Sequence, residues 1–208
     1  MVKKQHVLVI LLFSGLWGLS EAGLGGWMYS RGLASAAPVV LTAIALVLLT
    51  VARIYLPVAG TSALIGALAM LYKFLNEPFF ACHLLAIFFL GAAFDAVYSL
   101  ARGRLKPLVA VAATYLAFGV FAVGMTYVFR YEWWAAPGLP KVLRYVFVQG
   151  SLAAACGAAA VALADRLARR LAAGALAGPA VPRWASRAAG VVAICLWALA
   201  AVRPVLPV

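Results

Sequence analysis

Seven apolar runs, at residues 6–28, 34–54, 60–76, 79–101, 107–129, 140–172 and 184–203, leave little of this chain for anything but membrane helices. A helical span needs about 20 apolar residues to cross roughly 30 Å of hydrocarbon at 1.5 Å per residue. The breaks carry turn residues and charge: Arg31-Gly32, Pro57, Asn76-Glu77-Pro78 and Arg102-Gly103-Arg104 follow the first four runs. Of 208 residues, 67% are hydrophobic and 11% charged, and the mean hydropathy is +1.07, well outside the range of soluble domains. The expected fold is all-α: a polytopic membrane helix bundle of six or seven transmembrane helices, forming one membrane domain over 1–208.

The first run follows Lys3 and Lys4 and contains the small pair Ser20 and Ala22, features shared with signal peptides, but its apolar character continues to Met28. An uncleaved span fits better. The sixth run ends in "DRLARRLAAG", too charged for hydrocarbon, and reads as a helix continuing out of the membrane. With the N-terminus inside, Lys3, Lys4, Arg53, Arg102, Arg104, Lys106, Arg166, Arg169, Arg170, Arg183 and Arg187 fall on the inner side. Arg31, Lys73, Arg130, Lys141, Arg144 and Arg203 fall on the outer side, completing the 17 basic residues. This excess favours a multi-pass protein of the cell (inner) membrane with a cytoplasmic N-terminus. The net charge of +12 is then mostly a topology signal; without a soluble basic domain, nucleic acid is not an expected partner.

Ionisable residues within the spans are costly in hydrocarbon and point to function or pairing. Glu21 lies about seven residues before the outer end of the first span, on the order of 10 Å below the surface. Lys73 lies near the outer end of the third span, and His83 about one turn into the fourth from the same side. Three helices thus place a carboxylate, an ammonium and an imidazole at similar depth, where they either neutralise one another or present charge to a solute. Lys73 has the alternative of snorkelling to the surface, and His83 that of a hydrogen-bonded core histidine. Asp95, deeper in the fourth span, is expected to form an inner ion pair with Arg102 or Arg53, fixing helix packing.

Ser14, Gly18, Ala22 and Gly26 recur every four residues and make a small-residue ridge on the first helix, fit either for packing inside the bundle or for docking another membrane subunit. The fifth connection, "RYEWWAAPGLPK", reads as an interfacial aromatic belt or as a cap over an outward-opening cavity. In the second case Trp133, with Gln149 of the sixth span, joins Glu21, Lys73 and His83 in the substrate-binding set, and Tyr145 is placed to add a polar contact.

Catalysis finds little support, and no enzyme activity is expected. His6 and His83 stand near opposite ends of their spans and cannot share a metal or haem. There is no HExxH, GxSxG or Walker sequence, and Asp95 and Asp165 show no dyad spacing. Cys82, Cys156 and Cys195 lie in apolar runs without metal-type spacing. No metal site and no cofactor are expected.

The basic inner loops, the ridge on helix one and the polar groups under short outer loops resemble the layout of substrate-binding (S) components of energy-coupling factor (ECF) transporters. The stretch "LPVAGTSALIGALAMLYKFLNEPFF" looks like the corresponding region of that group. The resemblance implies six helices over about residues 1–172 and a small-molecule solute held near the outer face. It also implies a scaffold membrane subunit contacting the helix-one ridge, with ATPases powering the cycle. A second reading is a non-catalytic structural or assembly subunit, in which the charges pair only with each other.

Overall fold

A computed structural model of the protein describes residues 4–75, 81–102, 106–174 and 191. The linker at 175–187, the "NEP" turn at 76–78, Cys195 and, apart from Val191, the seventh span lie outside the described residues. Most of those described are helical, with no strand among them. Five helices are long and apolar enough to cross a membrane: α1 (His6–Ser30), α2 (Ala37–Tyr55), α4 (Cys82–Leu100), α5 (Lys106–Val128) and α7 (Leu139–Arg166). Between them stand α3 (Thr61–Leu75) and the single-turn α6 (Glu132–Ala135). The chain is an all-α, multi-pass membrane protein.

α3 shows how a short apolar run nearly crosses the bilayer. Its nine α-helical residues are followed by six in 3-10 conformation, which rises about 2.0 Å per residue instead of 1.5 Å. The stretched end brings the helix to roughly 26 Å on those rises. It also aims Lys73 inward, so that this side chain is buried and does not snorkel.

Each long helix packs on two neighbours, in the order α1, α3, α4, α5, α7, α2 and back to α1, closing a six-helix ring. One half of the ring is filled by Phe13, Trp17, Leu46, Leu49, Ile65, Phe94, Tyr98, Val109 and Val161, all buried. The other half holds a cavity, and Ile87, Leu90 and Ala117 belong to both the filled core and the cavity wall. They form its floor.

Glycine lets α3 and α4 meet backbone to backbone. A Cβ on Gly91 of α4 would lie 2.8 Å from the Ser62 carbonyl oxygen and 3.0 Å from Gly66 Cα of α3. Backbone cannot step aside as a side chain can. Gly91→Ala should therefore push α3 and α4 apart, at about 1–3 kcal/mol by the usual cost of overpacking; a fall in the thermal unfolding midpoint of the solubilised protein checks this. The helix-one ridge is used in the same way. Ser14, Gly18 and Ala22 are buried within the chain, Gly26 is partly buried, and Gly18 lies against the Tyr72 ring of α3. Internal packing therefore occupies the ridge, and its first three residues offer no free surface for a scaffold subunit.

The end of the ring opposite the cavity carries the second set of charges. Asp95 accepts hydrogen bonds from the backbone N–H groups of Gly60 (2.7 Å) and Ser62 (2.9 Å). It thereby caps α3 from another helix, satisfying donors that an N-terminus leaves open. Gly60 adopts φ +88°, a left-handed turn that suits glycine and turns its N–H toward the carboxylate. Arg53 supplies the countercharge at 3.6 Å from Asp95, donates to Ser99 Oγ at 3.0 Å and to the Val58 carbonyl, and lies over the Tyr98 ring. The expected pair forms with Arg53. Arg102 does not join it: it is exposed, in the left-handed residue at the end of α4 (φ +50°).

Candidate functional site

Glu21 sits where α1 departs from regular geometry. Residues Ser20–Leu24 form a π-helical turn, which inserts one residue into the helix and recurs at functional sites. Two more π turns occur in the described residues, Gly124–Val128 of α5 and Tyr145–Gln149 of α7. Together with the 3-10 end of α3, four helices change pitch around one level of the bundle. Glu21, Lys73, Tyr145 and Gln149 are all carried on these altered turns and all line the cavity.

The cavity measures about 660 Å³, within the range of small-molecule sites. Each of the five residues expected in a substrate site, Glu21, Lys73, His83, Trp133 and Gln149, lies in its wall. Glu21 and Lys73 form an ion pair of 3.1 Å and are 7% and 4% exposed. Lys73 Nζ also donates to the Glu21 carbonyl oxygen at 2.9 Å, and Trp17 Nε1 donates to the Glu21 carboxylate at 3.3 Å. The carboxylate is thus held by an ammonium and an indole, which offsets the desolvation that would otherwise exclude it from hydrocarbon. His83, in the same cavity wall, stacks on the Tyr29 ring at 5.4 Å.

Aromatic side chains make most of the remaining wall. The lid over 129–138, with α6 at its centre, turns Trp134 inward and leaves it 7% exposed, whereas Trp133 is 74% exposed at the mouth. Trp134 meets Phe121 and Tyr145 edge to face, with ring centroids 5.2 and 5.0 Å apart. Phe118 stacks on Tyr145 at 4.8 Å. Lys141 holds the lid from the first turn of α7: its ammonium donates to the Trp133 carbonyl and lies 4.6 and 4.9 Å from the Trp133 and Trp134 ring centroids. The aromatic stretch thus caps the cavity.

No family model, curated protein or solved structure matches the chain. The site must be read from its own chemistry. Among the described residues, no group of three or more His, Cys, Asp or Glu side chains is placed to hold a metal ion.

Several lining residues escape a reading of the sequence. Tyr29, Cys82, Phe118, Phe121, Trp134 and Lys141 all face the cavity. The signal for Phe118 and Phe121 is their three-residue spacing, which puts them on one helix face. Tyr29 and Trp134 carry no such signal, because aromatic residues near span ends are expected at the membrane interface in any case.

Proposed function

We propose that this protein is the solute-binding membrane component of a transporter, of the kind represented by energy-coupling factor S components. The reading places the capped end of the bundle outward, in a cell membrane, with a non-catalytic role and the energy supplied by a separate scaffold subunit and its ATPases. The observation that carries it is convergence: three helices bring Glu21, Lys73 and His83 to one cavity, beneath a lid of aromatic residues. A purely structural bundle has no need of such a volume, since membrane interiors pack closely.

The rival reading, a structural or assembly subunit, has one observation of its own: Glu21 and Lys73 already satisfy each other. Substitution of His83 separates the two, because this side chain lines the cavity, stacked on Tyr29. The protein should be purified gently from its membrane and the small molecules and proteins retained with it identified by mass spectrometry. On the transporter reading a small molecule is retained, a scaffold subunit and ATPases accompany it, and His83→Ala lowers the retained amount at least tenfold while the unfolding midpoint stays within a few degrees. An empty cavity in the wild type, with no transport subunits, would leave the structural role.

A further inference from the structure

The charges that face the cavity bear on what it selects. Of its lysine and carboxylate side chains, Glu21 and Lys73 cancel as a pair, and Lys141 is left. Lys141 makes no ion pair among the described residues; it rests on a carbonyl and two ring faces. A second hollow, of about 480 Å³, adjoins the first and shares Lys141, Tyr145 and Gln149 with it. Its other lining residues are Pro137, Pro140 and Arg144, so two cations and no carboxylate line this vestibule. A low-dielectric mouth lined by one sign of charge concentrates the opposite sign in the solute.

The body of the site is apolar and ring-faced. Phe118, Phe121, Trp134 and Tyr145 form one wall and the Tyr29–His83 stack another, an arrangement that rewards a flat π-system by offset or edge contact. The same rings do not suit a cationic ligand, because the ammonium of Lys141 already lies over Trp133 and Trp134. A second cation would meet occupied ring faces and an uncompensated charge. Gln149, whose side-chain amide makes no hydrogen bond among the described residues, adds a neutral donor and acceptor where the two hollows join.

Resting on the solute-binding reading above, we propose that the cavity selects a planar aromatic monoanion, with its ring system among Phe118, Phe121, Trp134 and Tyr145 and its anionic group toward Lys141 and the vestibule. Arg144 draws the anion to the mouth, and Lys141 neutralises it there.

Three probes of one shape test this: naphthalene-2-carboxylate, naphthalene-2-carboxamide and naphthalen-2-ylmethylammonium, each measured by equilibrium dialysis against the solubilised full-length protein and against empty micelles. The carboxylate should bind at least tenfold more tightly than the carboxamide, and the ammonium more weakly than both. The double variant Lys141→Met/Arg144→Met should bring the affinities for carboxylate and carboxamide to within about twofold of each other; Lys141→Arg should keep the tenfold preference. Equal or better binding of the carboxamide or the ammonium overturns the proposal, as does a preference that survives the double variant. If none of the probes binds, or if the molecule retained on purification is an anionic lipid, the proposal also falls. The solute-binding reading then stands or falls separately, on whether the wild-type protein retains any small solute.

Discussion

Replacing Lys73 by methionine is expected to destabilise the protein by about 3–5 kcal/mol, the usual cost of leaving one member of a buried ion pair without the other. Among the described residues, Glu21 would keep only the Trp17 indole as a hydrogen-bond partner for its carboxylate, in a position 7% exposed. The fall should be read as a drop on the order of 10 °C in the unfolding midpoint, by the scaling for chains of this size. The double variant Glu21→Gln/Lys73→Met should recover most of that loss, because apolar or neutral replacements of both members remove the stranded charge. A single Lys73→Met variant within 1 kcal/mol of wild type would mean that water reaches the pair freely. The double variant also serves function, since it removes the Glu21 and Lys73 charges from the cavity wall without a large folding defect. It is thus a cleaner probe of solute binding than Glu21→Gln alone.

The second large effect lies at the other end of the ring. Asp95→Ala should cost about 3–5 kcal/mol, because it strands the Arg53 guanidinium, itself 3% exposed, and opens two backbone donors at the start of α3. Asp95→Asn should lose less, since an amide oxygen still accepts one of the two N–H groups. Hydrogen exchange gives the discriminating readout: the amides of Gly60 and Ser62 should lose protection in Asp95→Ala before those of α5 do. Equal protection in both variants would show that Asp95 is not the cap of α3.

The spans were legible because the bilayer fixes their length: each described helix falls within a few residues of its apolar run. Glu21, Lys73 and His83 were legible as a group because depth along a helix is countable, at 1.5 Å per residue. Helix count and depth do not tell which way a side chain turns, however. Arg53 and Arg102 both sit at a reachable depth for Asp95, and only the packing of α2 on its neighbours decides for Arg53. Trp133 and Trp134 are adjacent in sequence, yet the single turn of α6 buries one and exposes the other. Lys141 reads as a surface charge near a span end, and its place over two indoles depends on the lid folding back on α7. The helix-one ridge announces close approach without naming the neighbour, which at Gly18 proves to be the Tyr72 ring of α3.

The π turns carry a consequence for each helix that holds one. An extra residue rotates everything beyond it by about 100° relative to an unbroken α-helix. α1, α5 and α7 are therefore each two registers joined end to end, with one face set before the turn and another after it. In α1, the register that seats Phe13 and Trp17 in the filled core ends where Glu21 begins to face the cavity. A single helical wheel drawn through the whole helix would mix those two faces. The bundle can thus keep a tight core in one half and an open chamber in the other without bending its helices apart.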